Sequence, residues 1–99
     1  MLFADEGPMS LMRGRILGYD SQRMAFGFTM LNDGVVVECR ISAAAMDDLV
    51  GGARVAVADR EEQFLRLREA IESISSAKFH SGTIVRGSVV RIFAKDIRK

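Results

Sequence analysis

Residues 32–42, NDGVVVECRIS, decide the fold of this chain, together with residues 24–30, MAFGFTM, just before them. In the earlier stretch, alternate positions carry large apolar side chains that would share one face of a strand: Met24, Phe26, Phe28 and Met30. The later stretch alternates in the same way, with Val35, Val37, Cys39 and Ile41 on one side and Val36, Glu38 and Arg40 on the other. Between the two lies Asp33-Gly34, a strong hairpin signal because glycine accepts a positive φ. The sequence therefore predicts an antiparallel β-hairpin with one apolar face.

Whether the loop has an odd or an even number of residues, which we call its parity, determines which strand faces meet in this hairpin. A three-residue loop would put the phenylalanines on the same side as Glu38 and Arg40, because a one-residue slip turns every side chain over. A two-residue loop (33–34) places Phe28 opposite Cys39 on a shared apolar face, and a four-residue loop (31–34) keeps the same faces together. We therefore expect an even loop and a buried Cys39.

The remaining strands are predicted on both sides of this hairpin. A weaker first strand covers about residues 13–18 and leads into a turn at residues 19–22. After the helices, a short strand is expected to reach Val85, followed by a turn over residues 86–88. The final strand alternates Val90, Ile92 and Ala94 with Val89, Arg91, Phe93 and Lys95.

Two helices are predicted between the hairpin and the final strands. Ser42 is a good N-cap for the short helix in AAAMDDLV, which Gly51-Gly52 ends. Asp59 opens a long helix, with Glu62 completing a capping-box pattern and Gly82 ending it. The apolar stripe of this helix is expected to comprise Phe64, Leu67, Ile71, Ile74 and Ala77. The fold class is α+β: an antiparallel sheet of N-terminal hairpin strands and C-terminal strands, with a short and a long helix packed on one face.

Length and composition favour one small domain. The 99 residues, 48% of them apolar, suffice for a single core, expected over residues 11–99 after a flexible arm at residues 1–10. One cysteine cannot form an internal disulfide, which favours a reducing compartment. The start of the chain lacks the features of a signal peptide, and no apolar run is long enough for a membrane helix. We expect a cytoplasmic protein without membrane contacts.

The motifs VVVECRISAAAMDDL, FLRLREAIESISSAKF and VVRIFAKDI, in this order, resemble a family of small uncharacterised bacterial single-domain proteins, known only as a domain of unknown function. The resemblance covers about residues 13–97. Its most specific part is the VECRIS hairpin that continues into a helix. The resemblance implies a small α+β fold and a bacterial cytoplasmic origin, and it transfers no catalytic or binding residue.

Reactive residues are too few to predict catalysis or a metal site. Cys39 as a nucleophile would need exposure and a neighbouring base, yet the alternation buries it and the single histidine, His80, is distant in sequence. One Cys and one His cannot supply a tetrahedral zinc site. We therefore predict no catalytic residues, no metal and no cofactor.

Basic residues are the charged residues that are unevenly distributed along the chain. Arg13 and Arg15 share a face of the first strand, and Arg91 and Lys95 flank Phe93 near the C-terminus. If the first and last strands were neighbours, these five residues would form a positive strip with an aromatic ring for base stacking. The alternative is a charged sheet edge that prevents aggregation. The net charge of +1 gives no global attraction for nucleic acid.

Three functions follow from these patterns. The first is a non-enzymatic protein-interaction or regulatory module, a homo-oligomer such as a homodimer or a partner of another protein. The second is weak nucleic-acid binding through Arg13, Arg15, Arg91, Phe93 and Lys95. The third, an enzyme, has the least support because acid–base candidates are scarce.

Overall fold

The computed structural model describes residues 11–52, 54–80 and 89–97. It contains one four-stranded sheet whose strands lie in chain order: β1 (Met12–Asp20), β2 (Ala25–Asn32), β3 (Val35–Ser42) and β4 (Val90–Ile92). Its helices are α1 (Ala43–Leu49), α2 (Arg60–His80) and the short α3 (Ala94–Ile97). A 3-10 turn, Val57–Asp59, leads into α2. The predicted N-terminal arm, the strand ending at Val85 and the helix end at Gly82 lie outside the described residues.

The β2–β3 hairpin has the register that parity predicts. Its loop is the two-residue Asp33-Gly34, with φ of 54° and 86°, the pair of positive values that a type I′ turn requires. Phe28 lies opposite Cys39, and on either side of this pair Phe26 lies opposite Ile41 and Met30 opposite Val37. The prediction of an even loop is confirmed, and the shorter of the two even loops is the one observed.

The β1–β2 connection differs from the prediction. β1 continues through residues 19 and 20, and the turn falls later, at residues 21–24. The Asp20 carboxylate holds this turn by accepting the backbone N–H groups of Gln22 and Arg23, at 3.0 and 3.2 Å. Met24 has a positive φ of 52° and is exposed, so its assignment to the apolar face was wrong. The turn rotates this residue out of the strand before the alternation begins.

The last strand runs in the opposite direction to the one expected. β4 pairs with β3 in parallel, with Arg40 opposite Arg91 and Ile41 opposite Ile92. The prediction of an entirely antiparallel sheet is therefore correct for β1–β3 and wrong for β4. A parallel neighbour requires a long crossover, which the segment containing α1 and α2 provides. Ala94, predicted as a strand residue, begins α3.

The core lies where α2 meets the sheet. The ring of Phe64 stacks on Phe26 with centroids 4.5 Å apart and lies 5.0 Å from Phe28. The buried cluster extends through the following residues: Met30, Val37, Cys39, Ile41, Ala45, Met46, Ile71, Val90 and Ile92. We call the side of the sheet that carries Phe26, Phe28 and Cys39 the inner face.

The predicted stripe on α2 is correct for its first four residues and wrong for Ala77. Phe64 and Ile71 are buried, and Leu67 and Ile74 pack partly against the core. Ala77 is exposed, whereas Ser75 is buried and donates its hydroxyl to the Ile71 carbonyl at 3.0 Å. The buried face of the helix therefore continues from Ile71 to Ser75, four residues further on, and does not include Ala77.

Polar contacts join the elements around this core. Ser42 caps α1 as predicted, its hydroxyl accepting the N–H of Ala45 at 3.0 Å. Arg60 at the start of α2 donates to Asp47 of α1 at 2.7 Å, and Gln63 donates to the same carboxylate at 3.0 Å. Burial alone would raise the pKa of Asp47, but these hydrogen bonds outweigh it and hold the pKa below its usual value.

Candidate functional site: the outer face of the sheet

The side of the sheet opposite the core, which we call the outer face, carries the residues that alternate with the buried ones. On β2 these are Gly27, Thr29 and Leu31, and on β3 they are Val36, Glu38 and Arg40. They are half-buried or exposed, whereas the inner-face residues Phe26, Phe28, Met30, Val37, Cys39 and Ile41 are buried. Val35, which was predicted on the apolar face, follows the hairpin loop directly and is exposed. The outer face is therefore accessible over the described strands.

One end of the outer face is apolar. Met12, Leu31 and Val36 lie side by side on β1, β2 and β3, because Met12 pairs with Leu31 and Leu31 with Val36. Met12 is 67% exposed and Val36 is 64% exposed. We call these three residues the apolar row. Such contiguous exposed apolar groups are typical of interaction surfaces, unlike single exposed residues.

A second row crosses the sheet four residues along from the first. Each residue of this row is paired with the next one on the neighbouring strand, in the order Gly18 of β1, Gly27 of β2, Arg40 of β3 and Arg91 of β4. Strand geometry separates the two rows by about 13 Å. The two adjacent glycines leave the sheet without side chains at this point, so the backbone forms a floor.

A groove of about 460 Å³ lies over this floor. Leu17 and Gly27 line it together with Arg40, and Asp20 and Arg23 line it at the β1–β2 turn. A Cβ added at Gly27 would touch the Cβ of Leu17 at 3.4 Å. The absence of a side chain at Gly27 is therefore part of what keeps the groove open.

The charges beside the groove occur as pairs. Arg40 contacts Glu38 at 3.2 Å, and Arg23 contacts Asp20 at 2.7 Å. The hydrogen bond from Arg23 lowers the pKa of Asp20. Arg91 is exposed beside Arg40, and within residues 11–52, 54–80 and 89–97 it forms no salt bridge. Like charges directly opposite each other on neighbouring strands disfavour the folded state. Within the described residues, the counter-charge that contacts this pair is Glu38, which contacts Arg40.

The structure does not bring the five predicted basic-strip residues together. β1 and β4 lie at opposite ends of the described strand order, which separates Arg13 and Arg15 from Arg91, Phe93 and Lys95. Arg13 forms a two-pronged ion pair with Glu72 of α2, at 2.8 and 3.0 Å. The backbone N–H of Arg15 donates to the Thr29 hydroxyl at 2.8 Å.

In the C-terminal half of that strip, Phe93 and Lys95 lie close together. The ring of Phe93 is exposed, and the Lys95 ammonium lies 5.9 Å from its centroid. The neighbour of Arg91 across the sheet is Arg40, which was not predicted as a site residue from the sequence. Alternation had placed Arg40 on the polar side of β3, but only the parallel pairing of β4 shows that Arg91 lies beside it.

Cys39 is a core residue, as the alternation predicts. It is fully buried, and its thiol donates to the Val37 carbonyl at 3.7 Å. Burial raises the pKa of the Cys39 thiol to about 12. The thiolate that nucleophilic chemistry requires is therefore not populated at neutral pH.

In the part of the chain that the structure describes, no three His, Cys, Asp or Glu side chains come together in a way that would hold a metal ion. Within the same ranges, no helix has both the length and the apolar character needed to span a bilayer.

Comparisons with known proteins return a family and a fold. The sequence profile of a family described as "Protein of unknown function (DUF1488)" matches residues 14–89. The fold is similar to the crystal structure of a DUF1488 protein of unknown function from Shewanella loihica PV-4, with a TM-score of 0.72 and 19% sequence identity. That similarity covers 85% of this chain and 92% of the other. No curated protein matches the sequence.

Proposed function

Because the chain belongs to the DUF1488 family, whose description assigns no function, we propose from its surface that it is a non-enzymatic protein-interaction module. It self-associates as a homodimer through the outer face of the sheet. The observation that carries this proposal is the apolar row, Met12, Leu31 and Val36, which crosses three strands and exposes two large apolar side chains to solvent.

A second copy of the chain fits this surface because the apolar row carries no charge. In a twofold dimer each residue of the row meets the row of the other copy, and no like charges are brought together within it. A central apolar patch with a polar rim is also the usual arrangement of a protein interface. Here Glu38 and Arg40 would belong to the rim.

The edge of β1 offers a poorer surface for association. Its pairing with β2 is irregular between Arg13 and Ile16 and again between Ile16 and Gly18. Such irregularities bend an edge strand and interrupt its free hydrogen-bonding groups, and the arginines on β1 add charge. Extension of the sheet by a second copy is therefore disfavoured relative to contact through the outer face.

The size of the outer face limits the strength of the dimer. Strands of nine, eight, eight and three residues give a projected area of roughly 440 Å². A standard interface buries about 800 Å² per partner. We therefore expect a weak, reversible dimer whose population depends on protein concentration.

Further parts of the proposal concern the setting. The described parts of α1 and α2 pack in the core on the inner face, through residues such as Met46 and Phe64, and the proposed partner would contact the opposite face of the described strands. Residues 11–99 form the single domain, and the VECRIS segment, residues 37–42, contributes Glu38 and Arg40 to the rim. We place the protein in the bacterial cytoplasm, supported by its one buried, unpaired cysteine and by the bacterial source of the similar structure.

A second candidate function is weak binding of single-stranded nucleic acid by Arg91, Phe93 and Lys95. The exposed Phe93 ring next to the Lys95 ammonium supports it, because bases stack on aromatic rings beside basic side chains. Arg13 and Arg15 contribute less, since they lie at the far edge of the sheet. Binding of an oligonucleotide that does not weaken with added salt would contradict this candidate.

The homodimer is tested by light-scattering mass during size-exclusion chromatography over a wide range of protein concentration. Val36→Asp places a charge in the apolar row and should shift the mass toward that of the monomer. Val57→Asp is the matched control, because Val57 is 60% exposed and lies in the 3-10 turn, away from the sheet. A monomer mass at all concentrations, or equal effects of the two variants, would contradict the proposal.

A further inference from the structure

We infer that Arg40 and Arg91 form a binding site for the phosphate group of a small, hydroxyl-rich phosphate ester whose remaining part lies in the groove over Gly18 and Gly27. This site is separate from the apolar row and goes beyond the proposed dimer. Its basis is the juxtaposition of two arginines and a small-molecule-sized groove on one accessible face.

The first argument is the parallel register of β3 and β4. Arg40 and Arg91 are paired residues, and their strands are about 4.8 Å apart. Both side chains leave the sheet on the outer face, so their guanidinium groups can reach one ligand. A guanidinium group donates two parallel hydrogen bonds to a phosphate, and one phosphate has enough oxygen atoms to accept from two guanidinium groups.

The second argument is the charge balance. Within the described residues, the two guanidinium groups have one salt bridge between them, that of Arg40 to Glu38 through one pair of atoms at 3.2 Å. The Glu38 side chain is 45% exposed and is free to turn to solvent. A phosphate monoester carries up to two negative charges at neutral pH and so matches both arginines once Glu38 has moved away.

The third argument is the groove itself. Its volume of about 460 Å³ lies within the range of small-ligand pockets, roughly 300–1,000 Å³. The lining carries hydrogen-bonding groups from Asp20 and Ser21 beside the glycine floor. Carboxylates and hydroxyls accept hydrogen bonds from ligand hydroxyl groups, so the part of the ligand in the groove is a polyol or sugar.

The test is a titration of the ¹⁵N-labelled protein with inorganic phosphate and with ribose 5-phosphate, followed by NMR at constant ionic strength. The expected result is saturable shifts at Gly18, Gly27, Arg40 and Arg91, with tighter binding of the sugar phosphate. Equal shifts with sodium chloride, or shifts elsewhere on the surface, would overturn the inference.

Variants separate this site from a general effect of charge. Arg40→Gln and Arg91→Gln should each weaken binding roughly tenfold to a hundredfold, the usual effect of losing hydrogen bonds to a charged group. Arg66→Gln is the matched control, because Arg66 is an exposed arginine with one acidic neighbour, Glu62, on α2. Equal losses in all three variants would overturn the inference.

Glu38→Gln gives a result of opposite sign. It removes the carboxylate that competes for Arg40, so phosphate should bind up to about fivefold more tightly. Weaker binding in this variant would contradict the inference.

The titration is repeated in the Val36→Asp protein, where phosphate binding should persist although the dimer is lost. A single-stranded oligonucleotide that binds more tightly than ribose 5-phosphate, with shifts centred on Phe93, would overturn the small-ligand site in favour of nucleic acid.

Discussion

The ring of Phe64 in α2 stacks on the ring of Phe26 in β2, with their centroids 4.5 Å apart and an interplanar angle of 17°. Both residues are fully buried, and Phe28 lies against the same ring. This contact joins the longest helix to the central strands. It therefore holds α2 against the inner face of the sheet.

Phe64→Ala should lower the free energy of unfolding by about 3–5 kcal/mol, because it removes buried surface and leaves a cavity. Leu65→Ala is the control, since Leu65 is the next residue on α2 and its side chain is about half exposed. Urea denaturation followed by circular dichroism measures both changes. Similar losses for the two variants would show that the stacked rings are not the main contact.

Asp47→Asn should destabilise the protein by about 3 kcal/mol, because it leaves the buried Arg60 guanidinium without its carboxylate. The Nε atom of Arg60 is already buried without a hydrogen-bond partner within the described residues, so further loss is costly. Glu62→Gln breaks the exposed pair with Arg66 and should change stability by less than about 1 kcal/mol.

The same carboxylate makes stability depend on pH. The pKa of Asp47 is lower in the folded chain than the usual value of about 3.9, so its stabilisation is complete above that pH and is lost as pH falls through the folded pKa. The free energy of unfolding of the Asp47→Asn variant should therefore depend less on pH below about pH 4 than that of the unsubstituted protein. An unchanged profile would contradict the role of this pair.

Gly18→Ala should cost about 1–3 kcal/mol of stability, because Gly18 has a φ of 111°, which other residues rarely adopt. Gly27→Ala is the comparison, since its Cβ would meet only an ordinary contact at Leu17 and should leave stability unchanged or raise it by up to about 1 kcal/mol. Thermal denaturation distinguishes the two. A larger loss at Gly27 would contradict the described geometry of the groove floor.

The Cys39 thiol should not react with a disulfide reagent in the folded protein. It is fully buried, and burial raises its pKa to about 12. Reaction should begin only when urea unfolds the chain and should follow the unfolding transition measured by circular dichroism. Rapid stoichiometric reaction in buffer would show that Cys39 is accessible and would reopen a chemical role for it.

Local patterns sufficed for the hairpin and its register, because parity and one turn signal determine which side chains share a face. They did not suffice for β4, since alternation in a three-residue strand is the same in either direction. Strand direction here depends on the length of the crossover and on the contacts of α2. Met24 was misplaced because a positive φ in the turn interrupts the strand pattern.

The candidate site was accessible to sequence reasoning only in part. Alternation assigned Glu38 and Arg40 to a polar face, and Arg91 was singled out for its charge. Their proximity depends on strand order, which no local pattern contains. The groove depends further on Gly18 facing Gly27 across an irregular strand pair.

The most direct test of the proposed homodimer is an isotope-filtered nuclear Overhauser experiment on a concentrated mixture of labelled and unlabelled protein. The proposal predicts intermolecular contacts from the methyl groups of Met12, Leu31 and Val36, and their loss in the Val36→Asp protein. Intermolecular contacts confined to other surfaces, or none at a concentration where the mass is that of a dimer, would contradict it.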